Sequence, residues 1–284
     1  MIVCLGDLLE DVVVWMAAHI TVGTDTPATI VRRRGGSASN VAAFVAQIGG
    51  RSRFLGTVGQ DPLGEQLVRQ LGETGADVSA SRRGRTGSII VMVSADGERS
   101  FLTDRGSSSE VDPIHSSEWE TATWFHVPAY GLARDPLATV ATNALLEARH
   151  AGVGISVDCS SVALLLDYGI ERFHAWLDLV GPDVVFANEQ EAAVLELPDR
   201  WQRSAILVVK HGPKPVELVG RDGSRTLVSV PAVAEVLDAT GAGDAFAAAF
   251  LHALTGGATP EQSVEAGNRL AARVLTEAGA MLGR

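Results

Sequence analysis

Asp238-Ala-Thr-Gly-Ala-Gly-Asp244, followed directly by Ala245-Phe-Ala-Ala-Ala-Phe-Leu-His-Ala-Leu254, decides how the rest of the chain is read. The second run is made of helix formers, with neither Pro nor Gly before Gly256-Gly257, and it reads as a buried helix. The first run is then a turn that delivers backbone N–H groups to the positive end of that helix. Gly241 and Gly243 permit backbone angles closed to other residues and let an anion come close. Unpaired N–H groups at a helix N-terminus hold phosphate-like anions without a basic side chain. A carboxylate, Asp244, stands at the mouth of this anion site. As a helix N-cap it would compete with a bound anion. As the acceptor of a proton from a hydroxyl beside a phosphoryl group, its position has a chemical use. Both readings stay open on this stretch alone.

Working outward, short runs of continuous apolar character recur: Ile2–Leu5, Arg53–Val58, Thr123–Val127, Gly154–Asp158, Val184–Ala187 and Ala205–Val209. Unbroken apolar strands are those buried on both faces. Helical stretches lie between them, at Ala38–Ile48, Leu63–Thr74, Pro136–Ala151 and Gln190–Leu197. Strand and helix in alternation predict an α/β fold, a doubly wound parallel sheet flanked by helices, with ligands beyond the carboxyl ends of its strands. Two stretches break the rhythm. Asp11–Arg34 holds Val12-Val13-Val14, His19–Val22, a Gly/Thr/Pro-rich turn and Thr29–Arg32. Thr86–Asp104 places the turn Ala95-Asp96-Gly97 between two strand-like runs. Both read as β-hairpins, so segments of about 12–33 and 86–104 are expected to form a small β-sheet lid. With no repeat, low-complexity tract or Pro-rich linker, residues 1–284 are expected to be one domain.

The formal net charge of −11 argues against nucleic acid or an anionic membrane as the main partner. Two cysteines, Cys4 and Cys159, have no metal-ligand spacing and suit a reducing compartment. The N-terminus lacks the pattern of a signal peptide, and no apolar run approaches membrane-spanning length. A cytoplasmic location is therefore expected.

Three further clusters offer polar groups at strand or helix ends. Gly35-Gly36-Ser37-Ala38-Ser39-Asn40 permits close backbone approach and presents uncharged donors and acceptors, which suit a polyol; a turn with a helix cap would look the same. Asn188-Glu189-Gln190-Glu191 puts an amide and two carboxylates after a strand, fitting either a Mg²⁺–ATP site or an acidic helix start. Val208-Val209-Lys210-His211-Gly212 is a strand entering a glycine turn, a possible nucleotide edge.

GGSASN, NEQE and DATGAGD, in this order, resemble the ribokinase, or PfkB, family of sugar and nucleoside kinases, and the resemblance covers essentially the whole chain. It implies an α/β domain with a β lid closing on an acceptor, and transfer of the γ-phosphoryl of ATP to a primary hydroxyl. By that resemblance Asp244 is the base, and the Gly241–Gly243 backbone is the anion hole. Asp11, Gly35, Gly36 and Asn40 meet the acceptor's hydroxyls. Asn188 and Glu191 serve phosphate and Mg²⁺, the latter through water. Lys210, Gly212 and Asn268 belong to the nucleotide side, and Asp238 to a monovalent cation such as K⁺. A homodimer through the lid is reasonable because lid strands are exposed.

The chain departs from ribokinases proper, which read GGKGAN where GGSASN stands here, so that Ser37 replaces a lysine. Leu9 occupies a position that is polar there, and Pro213 and Pro215 stiffen the loop after Gly212. The expected acceptor is a small sugar (a ketose or pentose) or a sugar acid, with these departures counting against ribose itself. Arg105 would meet the carboxylate of a sugar acid, with an exposed hinge arginine as the alternative. A nucleoside kinase is the rival, with Trp15 or Phe101 stacking on a base. A non-catalytic sensor would have no use for Asp244, and an oxidoreductase would need GxGxxG where Gly6-Asp7-Leu8-Leu9-Glu10 stands.

Overall fold

Each central strand sends alternate apolar side chains into two different cores, which is why its sequence shows no polar alternation. Ile2 and Cys4 pack into one core and Val3 and Leu5 into the other; Val184 and Phe186 are divided from Val185 and Ala187 in the same way. The structure, a computed structural model, describes residues 1–16, 19–94, 99–201 and 205–277. Its main sheet is formed by β1 (Ile2–Leu5), β4 (Ser52–Val58), β5 (Asp77–Arg82), β8 (Trp124–Pro128), β9 (Gly154–Asp158), β10 (Val184–Asn188), β11 (Ile206–His211), β12 (Lys214–Val219) and β13 (Arg225–Val228). The strand order is β13-β12-β11-β10-β9-β8-β1-β4-β5. All neighbours from β5 across to β11 are parallel, while β12 and β13 add an antiparallel edge.

Helices cover both faces. The first core takes side chains from α1 (Ser37–Gln47), α2 (Pro62–Gly72), α7 (Ala242–Thr255) and α8 (Pro260–Leu275). The second takes them from α3 (Leu137–His150), α4 (Val162–Tyr168), α5 (Ile170–Val180) and α6 (Glu189–Val194). One aromatic cluster positions the site. Phe250 lies edge-on to Phe186 of β10 with ring centroids 5.2 Å apart, and Phe246 does the same at 6.2 Å. Burying such a ring stabilises the fold by about 1.5–3 kcal/mol, and Phe246 is two residues after Asp244. The N-terminus of α7 is thereby pinned to the sheet.

The second sheet is the expected lid. It runs β3-β2-β6-β7, from β2 (Leu9–Met16), β3 (Ala28–Gly35), β6 (Thr86–Val93) and β7 (Arg99–Gly106). Both hairpins are antiparallel, and a parallel pairing of β2 with β6 joins them into one sheet. The two segments are longer than expected, reaching Gly35 and Gly106. The turn Ala95-Asp96-Gly97 lies outside the described residues, although its flanks Val93 and Arg99 are paired. His19–Val22, grouped with the strand-like runs, is an exposed loop without strand pairing.

Other boundaries also shift. The helix expected from Ala245 starts three residues earlier, at Ala242, and the one expected to reach Leu197 stops at Val194. Pro213 and Pro215 do not make a loose loop. Gly212, at φ +62°, and Pro213 form a tight turn between paired His211 and Lys214, and Pro215 sits at a register irregularity where its missing N–H is tolerated.

Candidate active site

β1 and β8 lie side by side, and the chain winds outward from them in opposite directions. Ligands of such sheets bind at the carboxyl ends of the strands at this reversal. Asp7 follows β1, Tyr130 follows β8, Asp158 and Asn188 end β9 and β10, and Lys210 is near the end of β11.

Asp244 is not the N-cap of α7. That position belongs to Gly241, in a left-handed conformation at φ +78° that favours glycine, and Asp244 is the third residue of the helix. Its carboxylate is held instead by two donors from the start of α1, more than two hundred residues away in sequence. Ser37 Oγ donates to Oδ1 at 2.6 Å, and Asn40 Nδ2 donates to Oδ2 at 2.9 Å. Burial pushes the Asp244 carboxyl up to about 6; the Ser37 and Asn40 bonds and Lys210 restrain the rise, while Asp158 adds to it. A carboxylate poised just below neutrality, ionised at pH 7, is suited to accept a proton from an alcohol.

On its other side lies a place for negative charge. The first-turn N–H groups of α7 have no acceptor within the helix. One member of the expected anion hole is partly engaged, since the Ala242 N–H turns back to the Ala239 carbonyl at 3.3 Å. Gly243 is exposed, and a Cβ there would stand 3.4 Å from Lys210 Nζ. Lys210 therefore borders the anion hole itself. Its ammonium pairs with Asp158 Oδ2 at 3.1 Å and lies 5.8 Å and 6.0 Å from the ring centroids of Phe186 and Phe246. Burial disfavours its charge, but Asp158 and Glu191 outweigh burial and raise its pKa.

Asn188 and Glu191 form a complete capping box. Asn188 Oδ1 accepts from the N–H groups of Gln190 and Glu191, while Glu191 accepts from the Asn188 backbone and side chain at 2.9 Å and 2.7 Å. The helix-start reading of this motif is thus realised, with Glu191 buried. Burial and Asp158 push the Glu191 carboxyl up to about 7, with Lys210 opposing. Among the described residues no group of three or more His, Cys, Asp or Glu is arranged to hold a metal ion.

The lid brings Asp11, Gly35 and Gly36, the residues expected on the acceptor side, up to the core. A Cβ on Gly35 would fall 2.3 Å from the Asp11 carboxylate, and one on Gly36 would fall 2.2 Å from the Asp7 carbonyl oxygen. Glycine at 35 leaves room for the Asp11 side chain within the lid, and glycine at 36 lets the lid strand return this closely to the core. Burial and the Asp244 charge push Asp11 up to about 7, against the pull of Arg34. Arg105 is not an exposed hinge residue: it is ion-paired with buried Asp7 and lies over the Tyr130 ring, 4.7 Å from its centroid.

Other elements place the remaining expected residues. Gly212 is the β11–β12 turn, and the buried Asn268 amide donates to the Ser229 carbonyl at 3.0 Å. Asp238 is buried, accepts from the Thr240 N–H at 2.9 Å, and its own N–H reaches the Leu275 carbonyl near the end of α8. Asp158 and Arg34 were not foreseen. A charged residue closing an apolar strand could have marked Asp158; nothing local marked Arg34.

A family model for pfkB family carbohydrate kinases matches residues 1–283. The chain belongs to this family. It is 30% identical over 269 residues to a fructokinase from Escherichia coli, covering 87% of each chain. The fold is similar to that of adenosine kinase from Sinorhizobium meliloti, with a TM-score of 0.85, 25% identity, and coverage of 98% of this chain and 94% of that one. It is also similar to an E. coli ribokinase II structure in complex with ATP and Mg²⁺, with a TM-score of 0.84, 22% identity, and coverage of 99% and 94%. The protein is a carbohydrate kinase by family, a phosphotransferase with a hydroxyl acceptor. Among the described residues no helix is long and apolar enough to cross a membrane.

Proposed function

We propose that the protein transfers the γ-phosphoryl of ATP to a primary hydroxyl of a small sugar or sugar acid, with Asp244 as general base. The observation that carries this is the placing of Asp244 between two kinds of group. Ser37 and Asn40 hold it on the side where Asp11 and the lid stand, and Lys210 and the α7 N-terminus border it on the other.

An acceptor hydroxyl entering from the lid side exchanges for the Ser37 hydroxyl on Asp244. Asp244 takes its proton as the hydroxyl oxygen bonds to the γ-phosphorus, and the bond from that phosphorus to the β-phosphate bridging oxygen breaks to release ADP. Charge on the moving phosphoryl group is met by the Gly241–Gly243 backbone and by Lys210, which are in place beforehand. Asp11, Gly35, Gly36 and Asn40 hold the acceptor's other hydroxyls, and Arg105, paired with Asp7 and lying over Tyr130, is the lid cation that a sugar acid's carboxylate would meet. Gly212 and Asn268 serve the adenosine end of ATP. Mg²⁺ requires few protein ligands when phosphates and water complete its shell, and the carboxylates of Asp158 and Glu191 beside Lys210 fit that demand, Glu191 through water. Bound there, it would neutralise phosphate charge. Asp238 is the residue that would serve K⁺ beneath the turn; Ala278-Gly279-Ala280, beyond which the family supplies more cation ligands, lies outside the described residues.

We read residues 1–284 as one domain with its lid inserted, and the lid's outward side as a homodimer face. Ile30 on edge strand β3 and Leu102 on edge strand β7 share one face of the lid by register and are more than half exposed. Sedimentation should give a dimer that Ile30→Ser with Leu102→Ser converts to monomer.

The sugar reading is favoured by the fructokinase relative; the adenosine kinase neighbour keeps a nucleoside acceptor as the second reading. The test is ADP release with Mg²⁺–ATP, with and without K⁺, across sugars, sugar acids and nucleosides. Turnover with a sugar is expected. Turnover with adenosine or inosine alone would replace the acceptor assignment, and ATP binding without turnover on any acceptor would overturn the proposal.

A further inference from the structure

Arg34 is the next-to-last residue of β3, in the lid, yet only 6% of its surface is exposed. Its Nη1 donates to Ser39 Oγ at 3.0 Å and to Asn40 Oδ1 at 3.1 Å. Ser39 in turn donates to the Gly35 and Gly36 carbonyls, both at 2.9 Å, so the guanidinium is locked to the turn that joins lid and core. A side-chain amide can present either its oxygen or its NH₂ group to a neighbour. A guanidinium can only donate, so it takes the Asn40 oxygen and turns Nδ2 toward Asp244 Oδ2, 2.9 Å away.

The surroundings give the same arginine an electrostatic role. The charged and titratable groups facing Asp244 are Cys4 from β1, Asp11 from β2, Arg34 from β3, Tyr130 after β8, Asp158 from β9 and Lys210 from β11; its neighbours on α1 are uncharged. Asp238 adds a further negative charge near Asp11. Lys210 is ion-paired with Asp158, and Arg32 is ion-paired with Glu10. Arg34 is the cation that answers Asp11 and Asp244 together: burial lowers its pKa to about 10, and those two carboxylates oppose the drop.

We propose that Arg34 is a positioning residue for the transfer: it holds the Asn40 amide in the orientation that donates to Asp244, and it supplies the positive charge that faces Asp11 and Asp244 from the lid. This rests on Asp244 being the base. The lid strand then carries part of the base's environment with it, so that Asp244 is fully set only when β3 is seated on the core.

The test compares wild type, Arg34→Lys and Arg34→Met, each shown to be folded by circular dichroism, in full pH profiles with Mg²⁺–ATP and the best acceptor. In Arg34→Met the acid limb of kcat/KM moves up by about one pH unit, the low end of what a neighbouring opposite charge contributes. Its plateau kcat falls about 10²-fold, the scale of a displaced catalytic group. Arg34→Lys keeps the acid limb in place and loses about tenfold in kcat through the misheld amide, with KM for ATP unchanged. In an Asn40→Ala background the Arg34→Lys loss shrinks to less than about twofold, because the amide it acts through is gone. An unmoved acid limb in folded Arg34→Met, or an undiminished Arg34→Lys loss in Asn40→Ala, overturns the proposal. If Arg34→Met does not fold, the Lys and Ala cycle decides. Should wild type turn over no acceptor, the kinase reading fails by itself, and carboxyl ¹³C titration of Asp244 and Asp11 decides for Arg34. Upward shifts of both in Arg34→Met support its role, and unchanged titrations remove it.

Discussion

The two sides of the site are built from different materials. The phosphoryl side is backbone at the first turn of one helix, fixed by Phe246 and Phe250 against Phe186 and bordered by Lys210 from a neighbouring strand. The acceptor side is made of side chains on a separate sheet, joined to the core through Gly35 and Gly36 and held by bonds that cross it. The first has little freedom to vary without losing the reaction. On the second, a side chain that meets only the acceptor can change and alter what is bound, whereas Arg34 reaches across to the base. In the proposed function this contrast would put the chemistry on the helix start and acceptor selectivity on the lid sheet.

The hardest blow to the rigid side is Asp244→Asn. Turnover should fall by at least about 10³-fold, with ATP binding kept, since general-base catalysis contributes about 10²–10⁴-fold. Stability should move the other way. The folded pKa of Asp244 lies above its unfolded value, so its ionisation weakens the fold, and stability falls as pH rises from the unfolded value through about 6. Thermal melts should therefore show the amide variant gaining on wild type more at pH 8 than at pH 5. Unchanged kcat would remove Asp244 as the base and erase the contrast between the two sides.

Lys210→Met comes next. It strips the cation from beside the anion hole and leaves Asp158 and Glu191 facing one another. A loss of about 10²-fold in kcat is expected, the scale for removing one electrostatic stabiliser. Melting should also fall, because buried Glu191 and half-buried Asp158 lose their cationic partner. Loss confined to KM for ATP would make Lys210 a binding residue and shift the rigid side's work to the helix terminus alone.

How much of this was legible in the sequence follows the same division. DATGAGD is contiguous, and a glycine turn followed by an alanine-rich run has few meanings other than a helix with an open N-terminus. The parallel sheet was legible because its strands, buried on both faces, read as unbroken apolar runs. What the sequence hid is long-range. Arg34 bonds to Asn40, and Asn40 to a residue 204 positions further on; no local pattern announces that chain. Asn188–Glu191 was ambiguous because a capping box and a carboxylate site use the same residue types at the same spacing, and the structure forms the box. Strand β12 was not foreseen because Pro213 and Pro215 read as stiffening a loop, whereas one sits in the tight turn and the other at a register irregularity.

The smallest effect is expected at the seam between the two sides, at Ser37, the first residue of α1. Its hydroxyl donates to Asp244 Oδ1 at 2.6 Å and helps keep the carboxyl from rising further. In Ser37→Ala the carboxylate keeps Asn40, and the acceptor hydroxyl no longer has to displace a resident one. These consequences oppose each other. Loss of the bond moves the acid limb of kcat/KM up by a few tenths of a unit, while removal of the competing hydroxyl eases acceptor entry. The net change at pH 8, where Asp244 is ionised in both proteins, should be within about threefold, and wild type should lead by more at pH 6. A pH profile of the two proteins measures this directly. A loss above about 10²-fold at pH 8 would show that Ser37 belongs to the rigid chemical side, and the boundary between the two would then have to be drawn on the lid side of α1.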